Sequence, residues 1–294
     1  MKSKKLKLWV EGARLRTLPL AIAPVAIGAG AADSVQAFDL TLSALALAVA
    51  LFLQIGVNYA NDYSDGIRGT DDYRVGPLRL TGSKSVRPEA VKLAAFAFFG
   101  LAAASGLAIV LITGMFWLIA VGLAAIVAAW FYTGGKNPYG YAGLGELAVF
   151  VFFGLVATIG TTYVQVGFIE FNAVLGGIAS GLFASAVLMV NNIRDIETDK
   201  LASKKTLAVM LGKKAATGLF LVMIWTPFVI LSFFTLLYPA TLMGFASLLL
   251  VAPATLIVLT AKTSKELILV LKLTSFASLA YALALAAGLF IVFF

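Results

Sequence analysis

The sequence predicts an all-α membrane protein whose helices cross the bilayer many times. Of its 294 residues 61% are hydrophobic and only 12% are charged, and the mean hydropathy is +1.00. A soluble globular protein is about 45–50% apolar and about a quarter charged. The apolar residues recur in long runs along nearly the whole chain, which is typical of a polytopic membrane protein. Soluble enzymes, secreted or cytosolic, and disordered chains are therefore excluded.

Nine apolar runs are separated by breaks, and each run is predicted to be a transmembrane helix. Each is about long enough for a hydrocarbon core of ~30 Å once tilt is allowed. The first run is the shortest and is rich in Gly, Ala and Pro. In chain order the predicted spans are 18–32, 40–62, 90–113, 115–133, 143–163, 171–193, 215–237, 239–261 and 273–294.

The basic residues predict the orientation of these spans. All 22 Lys and Arg residues precede the first span or follow spans two, four, six and eight. With nine spans, these positions all lie on the side of the N-terminus, while the opposite loops carry Asp33, Asp39 and Glu170. The positive-inside rule then places the N-terminus and the basic loops on the cytoplasmic side of the inner membrane. One span more or fewer would scatter the charges, so the pattern also supports the number nine.

The net charge of +8 is interpreted as a topology signal, with attraction to anionic lipids of the bilayer. Nucleic acid is not a predicted partner, because the charges border spans and do not form a separate domain. The chain has no Cys and no His, which excludes thiolate nucleophiles, sulfur-bound metals, His-bound zinc and haem. Any metal must be held by oxygen, and this favours Mg²⁺, Mn²⁺ or Ca²⁺.

Two acidic segments follow corresponding spans. The segment NDYSDGIRGTDD begins at Asn61, at the end of span two, and NNIRDIETD begins at Asn191, at the end of span six. In both, Asn is followed four residues later by Asp, at Asp65 and Asp195, and Asp199 lies a further four residues on. Residues i and i+4 share one helix face, about 6 Å apart along the axis. Each segment therefore aims oxygen ligands in one direction.

The two Asn residues are 130 positions apart, which predicts two related halves within a single domain, 1–294. The halves are roughly 10–135 and 140–265, followed by a last helix. The two acidic patches could face one central cavity, where their carboxylates would repel each other unless a cation lay between them. Two Mg²⁺ ions and an anionic substrate would satisfy both patches. The alternative is that the acids pair with nearby Lys and Arg in hydrated loops.

Basic residues on the same side fit a diphosphate ligand. Lys136 lies in the Gly-rich loop YTGGKNPYGYAGLGE and is predicted to reach a phosphate oxygen, although a simple turn would explain it as well. Arg68 and Lys204 are further candidates for binding the diphosphate. The basic loop 74–84 could form a lid over the cavity or a solvated connector.

The two acidic segments resemble the paired aspartate-rich motifs of the UbiA superfamily of intramembrane aromatic prenyltransferases. Four stretches resemble its menaquinone-pathway branch, the 1,4-dihydroxy-2-naphthoate polyprenyltransferases: RLRTLPLAIAPV, DDYRVGPLRLTGS, YTGGKNPYGYAGLGE and DIETDKLASKKTLAVMLG. The likeness covers residues 14 to about 212, and the last three spans match only as hydrophobic helices. It implies nine transmembrane helices around a cavity that opens to the cytoplasm.

The resemblance also implies an activity and a set of site residues. A polyprenyl group would pass from its diphosphate to 1,4-dihydroxy-2-naphthoate with loss of CO₂, giving demethylmenaquinone. The Mg²⁺–diphosphate assembly, with two ions, would be held by Asn61, Asp62, Asp65, Asn191, Asp195 and Asp199. Many superfamily members carry a third acid four residues after the position of Asp65. Here that position is Gly69, and Asp71 or Asp72 would replace the missing acid.

Other roles are assigned by the same analogy. Lys136 would help to neutralise the diphosphate, Arg16 or another cytoplasmic base would hold the carboxylate of the acceptor, and Tyr132 or Tyr139 would stabilise an allylic cation. The nearest alternative is a superfamily member with another acceptor, 4-hydroxybenzoate or homogentisate. A secondary transporter is a second alternative, but transporter sites normally lie near the bilayer midplane, whereas these acids lie at span ends. The sequence does not predict the prenyl length or the oligomeric state.

Overall fold

A computed structural model of the chain describes residues 2–70 and 79–291. The described part is built from helices joined by short loops, without strands, and the predicted all-α class is confirmed. The helices are α1 (Lys2–Ala13), α2 (Pro19–Asp33), α3 (Leu40–Ile67), α4 (Pro88–Thr113), α5 (Leu118–Phe131), α6 (Gly145–Val166), α7 (Phe171–Arg194), α8 (Ile196–Leu201), α9 (Leu207–Leu237), α10 (Pro239–Thr260) and α11 (Leu267–Phe290).

A helix occupies each of the nine predicted positions, but not every one is long enough to span a membrane. Within the described residues, seven helices have the length and the apolar composition required: α3, α4, α6, α7, α9, α10 and α11. Helix α2 is long enough to span a membrane only together with the preceding segment Leu6–Thr17, from which it is bent by 48°. Helix α5 has 14 residues, about 21 Å at 1.5 Å per residue, against a hydrocarbon core of ~30 Å. The structure thus has seven or eight candidate spans, and the predicted number of nine is not confirmed.

Several helices extend beyond the apolar runs that predicted them, and α3 and α9 are examples. Helix α3 continues to Ile67, five residues past the predicted end of its span, so the first acidic segment begins on its last two turns. Helix α9 begins at Leu207 and is interrupted at Gly212, whose φ of 77° and ψ of 160° are not helical. In both cases hydropathy detects the part suited to lipid, whereas backbone hydrogen bonding carries the helix past the apolar surface.

Helix α7 is the most buried of the candidate spans and packs against α2, α6, α9 and α11. Rings of Phe183, Phe228 and Tyr281 meet in this core at centroid distances of 5.3–6.2 Å. The Tyr281 hydroxyl donates a hydrogen bond to the carbonyl of Pro227 at 2.9 Å, which ties α11 to α9. A second, smaller core joins α1, α3 and α4 around Tyr59 and Phe99.

A cavity of about 640 Å³ is lined by residues of α2 to α7 and of α11. One end lies where α3 and α7 finish, next to Asp65 and Asp195, and is called the motif end below. Along α3 the lining extends from Asp65 back to Ala46, 19 residues or about 28 Å at 1.5 Å per residue. The fold therefore surrounds a long chamber with the acidic segments at one end.

Candidate active site

The structure brings the two Asn-xxx-Asp segments to the same cavity. The first is carried by the end of α3, while the second begins on α7 and continues into the short helix α8. The predicted metal ligands of the two segments that line the cavity are Asn61, Asp65, Asn191, Asp195 and Asp199. Residues 130 positions apart in the chain thus line one cavity.

Asp65 is almost completely buried and has several polar partners. Its Oδ1 accepts a hydrogen bond from the hydroxyl of Tyr141 and lies 3.4 Å from Lys204 Nζ. Its Oδ2 lies 3.6 Å from Arg79 Nη2. The Lys204 ammonium also lies over the Tyr141 ring, 4.4 Å from its centroid. Two cations and a phenol thus compensate the charge of one buried carboxylate.

The phenol of Tyr141 is held as a donor by this environment. Burial, followed by the nearby negative charge of Asp65, raises the pKa of Tyr141 far above its usual value of 10.0. The hydroxyl therefore remains protonated over the whole physiological range and can only donate to Asp65. Sequence reasoning missed Tyr141 as a site residue, although it lies in the Gly-rich loop that was singled out.

The second acidic segment carries its own cation. Arg194 donates from Nε and Nη2 to the two carboxylate oxygens of Asp195, at 2.7 and 2.6 Å, and from Nη2 to Asn191 Oδ1 at 2.8 Å. The hydroxyl of Thr206 donates to Asp199 at 3.5 Å. The arginine immediately before Asp195 thus fixes the orientation of both motif side chains.

The Gly-rich loop after α5 is hydrogen-bonded to the first segment. Thr133 Oγ1 donates to Asn61 Oδ1 at 2.7 Å, and the Arg68 guanidinium donates to the carbonyls of Thr133 and Gly135. Because these carbonyls face Arg68, the loop presents Lys136 to the outside. Lys136 is exposed and is not among the described residues that line the cavity. Arg79 and Lys204 lie beside Asp65 instead, and Arg194 lies beside Asp195.

Tyr132 and Tyr139, predicted to stabilise a cation, both line the cavity. Their rings meet edge to face with centroids 5.5 Å apart. The hydroxyl of Tyr139 donates to the carbonyl of Ala128 at 2.8 Å, and burial raises the pKa of Tyr139 to about 12. Both rings are therefore neutral aromatic surfaces close to the motif end.

The remaining acids of the first segment differ in placement. Asp62 was predicted to be a metal ligand, but its Oδ2 and Oδ1 accept hydrogen bonds from the backbone N–H groups of Leu80 and Thr81, each at 2.8 Å. It is completely buried and is not among the described residues that line the cavity. Asp71 and Asp72, the candidates to replace the acid missing at Gly69, lie outside the described residues.

Arginines before α2 add positive charge at the motif end. Arg16, the predicted carboxylate ligand, lines the cavity, and so does Arg14, which the sequence did not single out. The Nη2 atom of Arg14 is buried without a hydrogen-bond partner among the described residues. The Arg14 backbone is left-handed, with φ of 53° and ψ of 57°, at the bend between α1 and α2. The only sequence signal for it is its position two residues before Arg16 in RLRTLPLAIAPV.

Away from the motif end the cavity is apolar. Its walls there are formed by α3, α4, α5 and α6. They include three glycines at which an added Cβ atom would meet little or nothing within 4 Å. The lining residues of this part include Val49, Leu53, Gly106, Ile109, Gly122, Phe152 and Gly160. A site that is charged at one end and apolar along the rest suits an amphiphile with an anionic head and a hydrocarbon tail.

The donor set at the motif end fits a hard cation. The side chains of the two segments offer carboxylate and amide oxygens, the ligands that Mg²⁺ prefers. Within residues 2–70 and 79–291, no three acidic side chains lie close enough together to form a ready cation cage. This arrangement suits an ion that takes part of its coordination from a bound phosphate group.

Comparison with known proteins agrees with this site. The model of the UbiA prenyltransferase family matches residues 21–276. The 1,4-dihydroxy-2-naphthoate octaprenyltransferase of Mycobacterium tuberculosis is 48% identical over 281 residues, which are 96% of this chain and 96% of that protein.

Solved structures of low sequence identity share the fold. A UbiA homologue from Aeropyrum pernix, 17% identical, superposes with a TM-score of 0.69 over 93% of this chain and 96% of its own. A UbiA homologue from Archaeoglobus fulgidus bound to DMAPP and Mg²⁺ is also 17% identical. It superposes with a TM-score of 0.65 over 95% of this chain and 99% of its own. The family resemblance of the two acidic segments is therefore confirmed: the chain belongs to the UbiA prenyltransferase family.

Proposed function

We propose that the protein is a membrane-embedded transferase that moves a polyprenyl group from its diphosphate to 1,4-dihydroxy-2-naphthoate, a step of menaquinone biosynthesis. One observation carries the proposal: two separate Asn-xxx-Asp segments line the charged end of a long apolar cavity. The acceptor is suggested by the Mycobacterium tuberculosis relative, whose name gives 1,4-dihydroxy-2-naphthoate as its substrate. The family membership disfavours the secondary transporter.

Asn61, Asp65, Asn191, Asp195 and Asp199 would hold Mg²⁺, one ion for each segment. The related structures with DMAPP or GPP and Mg²⁺ support this assignment. When bound, Mg²⁺ supplies charge neutralisation that makes the diphosphate a better leaving group. Asp71 and Asp72 stay candidates for an additional ligand.

The cations of the chain act on the same group. Lys204 and Arg79 line the cavity beside Asp65, so they can contact diphosphate oxygens as well as the carboxylate. Positive charge fixed in a site of low dielectric stabilises the negative charge that develops on the leaving group. Arg68 supports them indirectly, because it holds the loop that carries Tyr141. Lys136 has the weaker claim, since it lies on the outside of that loop.

The apolar part of the cavity would hold the polyprenyl chain and keep water away from the reacting carbon. The faces of Tyr132 and Tyr139 lie near the motif end, where positive charge develops as the allylic C–O bond breaks. The electron pair of that bond leaves with the diphosphate. The naphthoate ring then forms the new C–C bond.

The electron balance explains why this chain needs no strong base. When the ring carbon that bears the carboxylate forms the new bond, the C–CO₂ bond breaks and its electron pair restores the aromatic ring. No ring proton has to be removed in that step, and the chain has no His that could remove one. The acceptor carboxylate needs a positive partner only for orientation. Arg14, whose buried Nη2 has no hydrogen-bond partner in the described part of the chain, is our candidate, together with Arg16.

We propose that the motif end faces the cytoplasm. The connections at the other end, residues 34–39, 114–117 and 167–170, contain no Lys or Arg. The loops at the motif end carry the basic residues, as the positive-inside rule requires of a cytoplasmic side. Both substrates would then enter from the cytoplasm or the inner leaflet.

The test is a reaction of the purified full chain in detergent with Mg²⁺, a polyprenyl diphosphate and 1,4-dihydroxy-2-naphthoate, with the product identified by mass. We expect a prenylated, decarboxylated naphthoquinol that disappears with EDTA and returns with added Mg²⁺. Asp65→Ala and Asp195→Ala should each abolish turnover in protein that stays folded. Turnover only with 4-hydroxybenzoate or homogentisate would reassign the acceptor and leave the metal site in place. Folded protein that forms no product with any aromatic acceptor would contradict the proposal.

A further inference from the structure

Asp62 differs from Asp65 in that both of its carboxylate oxygens accept backbone hydrogen bonds. It lies on α3 three residues before Asp65, and its two oxygens accept hydrogen bonds from Leu80 and Thr81, each at 2.8 Å. A completely buried carboxylate is costly unless its charge is compensated by hydrogen bonds, and two amide donors provide that compensation. Each oxygen thus already has a backbone donor, and Asp62 is not among the described residues that line the cavity.

The two amides belong to the start of a compact turn. Ser83 N donates to the carbonyl of Arg79 at 3.0 Å, and the amides of Ser85 and Val86 both donate to the carbonyl of Leu80 at 3.1 Å. As at the beginning of a helix, the first N–H groups of such a turn have no acceptor within it. Asp62 supplies that acceptor from a neighbouring helix, in the way that a capping side chain does.

The turn is also fixed by packing. The Leu80 side chain is fully buried between α1 and α3. A Cβ atom built on Gly12 of α1 would lie 2.6 Å from Leu80 Cδ1 and 3.1 Å from Tyr59 Cε1. The absence of a side chain at Gly12 therefore lets Leu80 enter this core. Backbone and side chain together hold residue 80 in one place.

Arg79 is the residue that benefits from this anchoring. It directly precedes the two clamped amides, its side chain is 10% exposed, and its Nη2 lies 3.6 Å from Asp65 Oδ2. It also lines the cavity at the motif end. An arginine side chain is long and loses much rotamer freedom when it binds, so a fixed backbone position reduces the entropy lost on binding an anion.

We propose that Asp62 is a positioning residue for Arg79: it clamps the turn 79–86 so that the guanidinium stays beside Asp65, facing the diphosphate of the prenyl donor. The proposal rests on the function proposed above. It assigns Asp62 no contact with metal or substrate, in contrast to the neighbouring Asn61 and Asp65. Its action is therefore expected to pass through Arg79 alone.

The experiment compares Asp62→Asn, Arg79→Gln and the double variant as full-length protein in detergent. Asn keeps the shape of Asp but offers only one acceptor oxygen, and its NH₂ group opposes one of the two amides. We expect Asp62→Asn to raise KM for the polyprenyl diphosphate about tenfold, and to leave KM for the naphthoate and the half-saturating Mg²⁺ concentration at saturating donor within twofold of wild type. The double variant should be no worse than Arg79→Gln, because residues that act through one another are not additive.

A binding measurement accompanies the kinetics. The Tm of each variant is measured at increasing concentrations of inorganic diphosphate in the presence of Mg²⁺. Asp62→Asn should need about ten times more diphosphate than wild type for the same rise in Tm. Asp39→Asn is the matched control, because Asp39 also accepts a backbone N–H, that of Leu42 at 2.8 Å, but at the other end of α3. It should leave KM and diphosphate binding unchanged.

The outcomes separate the possibilities. A tenfold rise in half-saturating Mg²⁺, with effects that add to those of Arg79→Gln, would make Asp62 a metal ligand and overturn the proposal. Wild-type values in Asp62→Asn would overturn it as well, while leaving the proposed function intact. Wild-type protein that neither binds diphosphate nor turns over would overturn both. If Asp62→Asn does not fold, Thr81→Pro removes one amide donor and keeps the carboxylate, and it must raise the same KM for the proposal to stand.

Discussion

At the scale of single residues, the site depends on how buried charges are compensated. Asp65 is compensated by Lys204, Arg79 and the Tyr141 hydroxyl, and Asp195 by Arg194. Breaking one partner of such a group leaves the other charge buried and uncompensated. Substitutions here should therefore affect activity more than their distance from the reacting atoms suggests.

Tyr141→Phe tests the phenol at Asp65. The variant keeps the ring under Lys204 but removes the hydroxyl donor, and a hydrogen bond to a charged group contributes about 1.5–3 kcal/mol. We expect kcat/KM for the polyprenyl diphosphate to fall roughly 10- to 100-fold. Because the pKa of Tyr141 is raised, the phenol stays protonated between pH 7 and 9. The activities of wild type and variant should therefore depend on pH in the same way over this range.

The control for this prediction is Tyr163→Phe. Tyr163 packs edge to face on Trp117 at 5.5 Å and is not among the described residues that line the cavity. It should retain wild-type kinetics. Equal kinetics of Tyr141→Phe and wild type would show that the Tyr141 hydroxyl does not tune Asp65.

Arg14→Gln tests the proposed carboxylate partner of the acceptor. Removing the guanidinium should raise KM for 1,4-dihydroxy-2-naphthoate roughly tenfold or more, since an ionic hydrogen bond to substrate is lost, and should change KM for the polyprenyl diphosphate little. Lys7→Gln removes one positive charge from an exposed position of α1 and serves as the control. A rise in KM for the diphosphate alone would place Arg14 at the other substrate.

At the scale of elements, close packing of helices sets the width of the cavity. Helix α6 contains a π-helical turn, Phe150–Val156, and there it lies directly against α7. A Cβ atom on Gly154 would lie 2.5 Å from Gly181 Cα, so only glycine permits this approach of the two backbones. The contact keeps α6, one wall of the cavity, tightly on the buried helix α7.

Gly154→Ala should therefore destabilise the protein. The added methyl meets backbone, which cannot rotate away, and overpacking of this kind costs about 1–3 kcal/mol. We expect a lower Tm in detergent. Gly218→Ala is the control: its Cβ meets nothing within 4 Å on the exposed side of α9, and alanine favours the helix. An unchanged Tm for Gly154→Ala would mean that α6 and α7 can separate without cost.

At the scale of the whole molecule, the bundle joins a charged end to a long apolar chamber. Gly160 lines this chamber 15 residues from Gly145, about 22 Å along α6 at 1.5 Å per residue. A Cβ atom added at Gly160 meets nothing within 4 Å, so a larger side chain would start from open space. The depth of the chamber can thus be reduced without disturbing the helices.

Gly160→Leu should change the preference for prenyl length. We expect the ratio of kcat/KM for octaprenyl diphosphate to that for geranyl diphosphate to fall roughly tenfold or more, because only the longer chain reaches the added side chain. Gly100→Leu, on the exposed face of α4 and with open space around it, should leave the ratio unchanged. An unchanged ratio in Gly160→Leu would show that the chain leaves the cavity before that depth.

The sequence by itself determined the class of fold and the ligand-bearing segments. Lipid solvation requires long apolar helices, and this requirement is visible in hydropathy alone. The spacing of Asn61/Asp65 and Asn191/Asp195 likewise follows from helix geometry, which is local. The two related halves stay a prediction.

Only the tertiary structure decided which other residues join these segments. Arg14, Arg79 and Tyr141 reach the cavity, whereas Lys136 is turned outward and Asp62 is used to hold a loop. Such placements depend on hydrogen bonds between parts of the chain far apart in sequence, such as that from Thr133 to Asn61. The structure also leaves seven or eight candidate spans among the described residues, because a short helix such as α5 and a bent one such as α2 look the same as full spans in hydropathy. Hydropathy records the composition of a segment, and it contains no information about its direction or its partners.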